Sequence, residues 1–339
     1  PLDLAAAPEG ICRTVSPESL YAELVPFGRA YRNIVKTLFL GNDGALARVG
    51  SPRLPDGGKD FVLGAPYPLD AAFHAACVWG QHTRHIVAFP VAVDHRQILR
   101  PIRLDETCLA RILPRQITGD TLVYDIFIYD RQGNLCEVSS GVRMRDISGG
   151  RMRPPAWIRK QDGEGQLTHI DQSGCHLAVI EHRCVAPFVG QVLSPLELQR
   201  YGTMVAKRKK SFAAARLALK RLSRKLVGQA LQRAPGEINT VQADSPKPVC
   251  PFNGRSQAPF CSVSHDSRFA VAVAADKPVG IDVEQITAKA LQNQRLFAFI
   301  NDKDGAENTN REHNRNWDKK ITSFHQFVPP VRRNSLSGR

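Results

Sequence analysis

The chain has 339 residues, 42% of them hydrophobic, and a formal net charge of +14 from 46 Lys and Arg against 32 Asp and Glu. This length indicates two or three domains, and the apolar content is ordinary for a globular protein. No run of 18 apolar residues and no signal-peptide pattern is present, so we expect a cytoplasmic protein without a transmembrane helix. Because the chain begins with Pro1 and not with Met, we expect a piece of a longer polypeptide.

The cysteine pattern indicates a reducing environment. There is no C-x-x-C motif and no metal-ligand spacing, and several cysteines lie in apolar runs, so we expect buried free thiols. The eight cysteines are Cys12, Cys77, Cys108, Cys136, Cys175, Cys184, Cys250 and Cys261.

The first segment predicts a short helix followed by strands. Ser16 suits the N-cap position and Pro17 suits the first helical position, so we expect a helix to begin there. Strand-like runs follow at 34–40 and 45–49, and a Pro- and Gly-rich loop spans 52–59.

A second helix is predicted to begin near Pro68, in the stretch APYPLDAAFHAACVWGQ. It is apolar on nearly every side, so it should be buried. Asp70 lies in its first turn, and His74 follows one turn later on the same face. Helix-end N–H groups favour a charged Asp70, whereas burial favours the neutral carboxyl that a general acid needs. Two interpretations stay open: a catalytic pair, or a cap residue beside a hydrogen-bonded core histidine.

Four strand-like segments follow the second helix, at 85–93, 104–114, 121–130 and 135–146. Two of the intervening stretches have the composition of hairpin turns, which predicts an antiparallel sheet. The run VYDIFIYD alternates imperfectly between apolar and polar residues, as in a sheet covered on one face. One long buried helix against such a sheet predicts an α+β fold.

Three motifs in this first part, S-P-E-x-L-Y-x-x-L, G-x-x-Y and P-Y-P-L-D-A-A-F-H, together resemble the second half of the double-hotdog dehydratase domains of polyketide and multidomain fatty-acid synthases. The resemblance covers roughly 10–150 and implies a hotdog domain over 1–150. It implies that Asp70 is a catalytic acid in the dehydration of a 3-hydroxyacyl thioester and that His74 positions it. The motif of the family's catalytic histidine is absent, which implies an upstream dehydratase half as a partner.

The second part of the chain follows a linker. The stretch 151–167 is rich in Pro and Gly, and we expect Trp157-Ile158 within it to pack back on the first domain. A second domain is expected over 168–290. Strand-like runs at 176–180 and 184–186 precede Ser194-Pro195, which suits the start of another helix.

The strongest positive charge lies in a predicted amphipathic helix over Lys207–Lys225, which has nine Lys and Arg and no acidic residue. A nucleic acid, an anionic membrane, or an acidic cofactor and protein partner would each suit this charge. No nucleic-acid-binding motif accompanies it, so we expect neither nucleic acid nor membrane as a partner. The predicted apolar stripe is Phe212, Ala215, Leu219 and Leu222, with Arg208, Lys209, Lys220 and Lys225 largely outside it.

The stretch Ser262–Glu284 reads SVSHDSRFAVAVAADKPVGIDVE and predicts two strands around a polar turn, followed by an extended segment. Asp282 and Glu284 are two residues apart on that segment, so both carboxylates face the same side. Such a pair suits a hard cation such as Mg²⁺. The alternative is an edge strand with a solvated acidic face.

These motifs do not stand alone. S-x-S-H and P-V-G-I-D-V-E, preceded by KRKKSFAAARLALKR, resemble surfactin-type 4′-phosphopantetheinyl transferases over about 170–290. The resemblance implies that Asp282 and Glu284 hold Mg²⁺, and that the phosphopantetheine arm of coenzyme A is transferred to a serine of an acyl carrier protein. The residues that it implies for binding coenzyme A are Arg208, Lys210, Lys247 and His265.

The last residues, 291–339, depart from the transferase pattern. The family's closing W-x-x-K-E is matched by Lys320 at the Lys position but has Ile321 at the Glu position. The tail is rich in Asn, Arg and Asp with weak periodicity, which predicts disorder. We therefore keep two hypotheses: a synthase piece with dehydratase and transferase activities, or a catalytically incomplete module that docks carrier protein or coenzyme A. Whether the chain forms a homodimer is left open.

Overall fold

The computed structural model of the protein describes residues 7–51, 61–160, 175–227, 235–242, 248–250 and 260–283. The predicted loop at 52–59, the predicted tail at 291–339, and the candidate residues Lys247 and Glu284 lie outside the described residues.

The first part of the chain forms an antiparallel sheet. Its strands are β1 (Arg13–Val15), β2 (Leu38–Gly41), β3 (Gly44–Gly50), β4 (Phe89–Ala92), β5 (His95–Ile98), β6 (Thr107–Thr118), β7 (Thr121–Tyr129) and β8 (Leu135–Arg145). They lie in the order β1-β2-β3-β6-β7-β8-β4, and β5 also pairs with β8. Helix α1 (Pro17–Ser19) begins at the predicted cap, where Ser16 Oγ accepts a hydrogen bond from the Ser19 N–H, and a π-helical turn over Leu20–Leu24 continues it.

Helix α2 (Tyr67–Thr83) packs along one face of this sheet against β3 and β6. Four alanines face the sheet and are fully buried, and their small side chains allow the helix to approach closely: Ala71, Ala72, Ala75 and Ala76. Trp79 is 2% exposed, and its indole N–H donates to the Gly41 carbonyl at 2.9 Å. The predicted α+β hotdog arrangement, a long buried helix on an antiparallel sheet, is confirmed for this part of the chain.

The central strands are buried on both faces, which corrects the prediction of one covered face. On β7, Ile126 and Ile128 pack with α2, whereas Phe127 and Tyr129 pack with the second part of the chain. Leu46 on β3 joins that second core too. The imperfect alternation of VYDIFIYD therefore reflects apolar burial on both sides.

The second part of the chain forms a three-stranded antiparallel sheet with helices packed on it. Helix α3 (Ala156–Arg159) precedes this part and packs on α2. The elements of the second part are β9 (His176–Glu181), α4 (His182–Val185), α5 (Val189–Val192), α6 (Pro195–Thr203), α7 (Ala206–Val227), β10 (Phe260–His265) and β11 (Phe269–Ala275). The strand order is β10-β11-β9, and α7 packs on all three strands. The strand predicted at 184–186 is wrong: helix α4 and a 3₁₀ turn over Ala186–Phe188 occupy it, since Pro187 has no N–H for a ladder.

The residues before β1 join the two sheets. Glu9 forms an antiparallel bridge with Ile180 of β9, and the Gly10 N–H donates to the Val179 carbonyl at 2.8 Å. Three residues later the same segment pairs with β2 as β1, with Val15 opposite Leu38. One short segment thus completes an edge of each sheet.

An ion cluster lies where the two parts meet. Arg111 of β6 is fully buried, and its Nη2 lies 3.0 Å from Asp43 Oδ2 in the turn between β2 and β3. Arg221 of α7 approaches the same carboxylate oxygen at 3.4 Å. Burial raises the pKa of Asp43, but the charges of Arg111 and Arg221 outweigh it, so its pKa lies below the ordinary value.

The prediction that Lys220 lies on the polar side of α7 is wrong. Its side chain is fully buried and forms an ion pair with Glu197, also fully buried, at 2.6 Å. Glu197 belongs to the predicted cap of α6: Ser194 Oγ accepts from the Glu197 N–H, and Glu197 Oε2 accepts from the Ser194 N–H at 2.9 Å. The Thr240 hydroxyl donates to the other carboxylate oxygen at 2.6 Å. The lysine is therefore a core residue with a partner.

The start of the predicted linker packs on the first part of the chain, as expected for Trp157-Ile158. Ile158 is fully buried among the residues that pack against α2, and its carbonyl lies 2.7 Å from His82 Nδ1. The Trp157 indole donates to Glu23 Oε2 at 2.7 Å.

All eight cysteines are free thiols, and only Cys261 is more than slightly exposed, which confirms the predicted buried thiols. Within the described ranges, no helix combines the length and the apolar character needed to cross a bilayer.

Removal of the Lys220 ammonium should destabilise the fold strongly, because it leaves the Glu197 carboxylate buried without its ion-pair partner. We expect Lys220→Met to lower the free energy of unfolding by about 3–5 kcal/mol. Lys210→Met, a matched change on the exposed start of the same helix, should cost less than about 0.5 kcal/mol. Urea unfolding followed by circular dichroism measures both values, and equal losses would contradict a structural role for the buried pair.

Candidate functional site

The structure brings Asp70 and His74 together on one side of α2. His74 Nε2 lies 3.6 Å from Asp70 Oδ2, as the spacing of four residues along a helix allows. The His74 side chain is 6% exposed and that of Asp70 is 38% exposed. The histidine is therefore part of the core, and the carboxyl group reaches the surface beside it.

Aromatic side chains from the segment after β1 enclose His74. The ring of Phe27 stacks on the imidazole, with centroids 4.8 Å apart and an interplanar angle of 19°. Tyr21 meets the imidazole edge-on, and its hydroxyl oxygen lies 3.4 Å from His74 Nδ1. The Ile34 N–H donates to the same hydroxyl oxygen at 2.9 Å. These contacts hold the imidazole in one orientation.

Burial shifts the proton affinity of both members of the pair. It raises the pKa of Asp70, which moves the carboxyl toward the neutral form. It lowers the pKa of His74 to about 4, so the imidazole is neutral near pH 7. Of the two opposing effects on Asp70 that the sequence indicated, burial is the one that prevails. A carboxyl group with raised pKa beside a neutral imidazole is an arrangement suited to proton donation.

Sequence reasoning missed Tyr21 as a member of this site. It is 53 residues from His74 in the chain, and its only signal was membership of the L-Y motif. Nothing in helical or strand periodicity could have placed its hydroxyl at the imidazole.

The second group of predicted residues lies on the hairpin of β10 and β11. Ser262 Oγ accepts from the Ile281 N–H at 3.3 Å, and Ser264 Oγ accepts from the Val283 N–H at 3.1 Å. The Ser264 hydroxyl also lies within hydrogen-bond distance of Asp282 Oδ1, at 3.1 Å. Because these bonds repeat every second residue on both segments, residues 281–283 run extended alongside β10. The S-x-S motif therefore holds the segment that carries Asp282.

The remaining predicted residues that the structure describes lie on different segments of the chain. His265 ends β10 and lies edge-on to His182, with ring centroids 6.3 Å apart. Arg208 and Lys210 are exposed near the start of α7. Among the hydrogen bonds and ion pairs of the described residues, none joins Arg208 or Lys210 to His265 or Asp282. Asp282 itself is exposed, and its carboxylate offers the hard oxygen donor that Mg²⁺ prefers.

Residues 1–154 match the family model of the polyketide synthase dehydratase N-terminal domain, PS-DH. This match covers Asp70, His74 and Tyr21. The motifs around Asp70 predicted that the chain supplies the second half of a double hotdog. This assignment stays a prediction. No curated protein matches the sequence.

Solved structures of dehydratase domains are similar to part of the chain. The domain of RzxB from Pseudomonas fluorescens is 20% identical, with a TM-score of 0.33, over 40% of this chain and 50% of that one. A trans-AT polyketide synthase dehydratase domain from Brevibacillus brevis is 23% identical, with a TM-score of 0.34, over 42% and 51%. That of PpsC from Mycobacterium tuberculosis, solved with C12:1-CoA, is 22% identical, with a TM-score of 0.33, over 40% and 53%. The chain spans about half the length of these structures.

The lowered pKa of His74 gives a pH dependence with a defined sign. A free histidine takes up a proton near pH 6.5, whereas folded His74 does so only near pH 4. The contribution of neutral, buried His74 to the free energy of unfolding is therefore complete above about pH 6.5. It is lost progressively as the pH falls toward about 4. We expect the NMR chemical shifts of the His74 imidazole to be those of the neutral form at pH 5. We also expect the free energy of unfolding of His74→Gln to fall less than that of the wild type between pH 6.5 and 4.5. Titration of His74 above pH 6 would contradict its buried environment.

Proposed function

We propose that the first part of this chain supplies the acid half of a dehydratase active site that acts on 3-hydroxyacyl thioesters. The observation that carries the proposal is the Asp70–His74 pair on the buried helix α2, with a partly exposed carboxyl whose pKa is raised. The match of 1–154 to the polyketide synthase dehydratase model supports it.

In the proposed reaction, a base on a separate dehydratase half removes the α-proton of the thioester. The electrons of that C–H bond form the new carbon–carbon double bond, and the bond from the β-carbon to its hydroxyl breaks. Asp70 donates a proton to the departing hydroxyl, which leaves as water, and the product is a trans-2-enoyl thioester. Asp70 thus acts as the general acid, and the acyl group is expected to arrive on an acyl carrier protein.

The edge of the first sheet offers an exposed apolar surface. Strand β4 is the last strand of the sheet and pairs only with β8 among the described residues. Val91 on this strand and Val93 just after it are 47% and 39% exposed. Pro90 and a β-bulge between Pro90 and Ala92 make this edge unsuited to adding another strand. We propose that the separate half instead packs on these exposed apolar side chains.

Loss of the Asp70 acid should remove dehydratase activity once the upstream half is restored. We expect Asp70→Asn to lower kcat by a factor of about 10²–10⁴, because the amide occupies the same space but cannot donate an acidic proton. Asp120→Asn, a matched change in an exposed turn, should leave kcat unchanged. Conversion of a 3-hydroxyacyl thioester to the enoyl product, followed by mass spectrometry, measures both. The present chain alone should be nearly inactive, and efficient dehydration by it that survives Asp70→Asn would refute the site.

A second candidate function rests on the hairpin of β10 and β11. We propose that this part of the chain belongs to a phosphopantetheinyl transferase that uses coenzyme A and modifies an acyl carrier protein. The favouring observation is the pair of serine hydroxyls that hold residues 281–283 and place Asp282 beside the S-x-S-H motif. Asp282, with Glu284, would hold Mg²⁺, which would neutralise charge on the pyrophosphate of coenzyme A. Arg208, Lys210, Lys247 and His265 would bind its phosphates.

Binding of coenzyme A should depend on Mg²⁺ and on Asp282. We expect Asp282→Ala to weaken the Mg²⁺-dependent affinity for coenzyme A at least about tenfold, because it removes one of the two carboxylates proposed to hold the metal. Asp276→Ala, a change of another exposed carboxylate just after β11, serves as the control. Titration calorimetry with and without Mg²⁺ measures the affinities, and an unchanged value in Asp282→Ala would refute the metal assignment. Binding without transfer to an acyl carrier protein would favour the alternative of a docking module.

A further inference from the structure

The hydroxyl of Tyr21 has a defined set of partners in the core. Tyr21 is 4% exposed, and its oxygen accepts a hydrogen bond from the Ile34 N–H at 2.9 Å. A phenol has one O–H to donate. With one lone pair engaged by Ile34, the hydroxyl proton is available for His74 Nδ1, 3.4 Å away.

The protonation state of His74 then follows. Because its imidazole is neutral near pH 7, only one ring nitrogen carries a hydrogen. If Nδ1 accepts from Tyr21, the hydrogen is on Nε2, the atom that faces Asp70 Oδ2 at 3.6 Å. The opposite tautomer would turn the lone pair of Nε2 toward a carboxylate oxygen, which is repulsive whenever Asp70 is ionised.

The two oxygens of Asp70 differ in their surroundings. Oδ2 is buried and has no hydrogen-bond partner within 3.5 Å among the described residues, although the whole side chain is 38% exposed. A buried carboxylate oxygen without a donor is costly, and His74 Nε2 lies 3.6 Å from it, just beyond normal hydrogen-bond length. Contacts of this kind commonly shorten when substrate closes the site. The exposed side of the carboxyl, which includes Oδ1, remains for the substrate.

We propose that Tyr21 is a positioning residue that fixes His74 as the Nε2–H tautomer, so that Asp70 accepts from His74 at Oδ2 and carries its transferable proton on Oδ1. This proposal rests on the proposed role of Asp70 as the general acid. Tyr21 does not touch the substrate. Its hydroxyl links the backbone at Ile34 to the imidazole, and the imidazole selects which carboxyl oxygen is protonated.

The tautomer of His74 can be measured directly on the full chain. In long-range ¹H–¹⁵N spectra at pH 7, assigned by comparison with His74→Gln, we expect a protonated Nε2 and an unprotonated Nδ1. In Tyr21→Phe this preference should weaken, with the Nδ1–H tautomer gaining population at the expense of Nε2–H. Tyr124→Phe is the matched control, because it removes a buried hydroxyl that donates to the Ala76 carbonyl of the same helix at 3.3 Å. It should leave the His74 spectrum unchanged.

Measurement of kcat and KM distinguishes a positioning role of Tyr21 from a role in stability alone. With the upstream half restored, Tyr21→Phe should lower kcat about tenfold with little change in KM, whereas Tyr124→Phe should change neither. An Nδ1–H tautomer in the wild type, or an unchanged tautomer in Tyr21→Phe, would overturn the proposal. If the tautomer responds as expected while Asp70→Asn retains full activity, the hydrogen-bond arrangement stands and the proposed acid role of Asp70 falls.

Discussion

The carboxylate of Asp43 and the two guanidinium groups that approach it are the interaction on which the arrangement of both sheets depends. Arg111 lies in the middle of the first sheet, on the same strand face as Leu109 and Leu113, which pack in the second core. Buried charges cost several kcal/mol each unless partners satisfy them. Arg111 meets this requirement with Asp43 and with the carbonyls of Ala45 and Ile112, at 3.0 and 2.9 Å. Arg221 belongs to α7, so its contact with the same carboxylate connects that helix to the sheet.

This junction makes the first sheet the middle layer of the molecule. Helix α2 covers one face, and α7 with its neighbours lies beyond the other. A sheet enclosed on both sides cannot shift its register without moving apolar side chains out of two cores. Helix α2 therefore rests on a rigid support, and so does the pair Asp70 and His74. The proposed acid role of Asp70 requires a fixed distance to the substrate, and this layering would supply that fixed position.

The sequence predicted those features that arise from local patterns. The cap at Ser194, the buried helix α2 and the approach of Asp70 to His74 all follow from spacing along one element. Lys220 was misplaced because a helical pattern sorts residues by polarity, whereas its burial depends on Glu197 from another helix. Tyr21 was missed for a similar reason, since its contact with His74 exists only after the chain folds back over 53 residues. Tertiary partners of polar groups leave no periodic signal.

The segment from Glu9 to Val15 also bears on how the chain can be divided. Its first residues complete the edge of β9, where Lys225 pairs with Glu9, and its last residues pair with β2. The covalent connection between the two parts is thus not what keeps them together. A protease cut within 161–174 would leave two fragments joined by hydrogen bonds, a shared apolar core and the Asp43 cluster. A recombinant fragment that starts at 168 would instead present β9 as a bare edge open to pairing with other chains. Residues on both sides of the boundary drawn by composition therefore share hydrogen bonds and an apolar core.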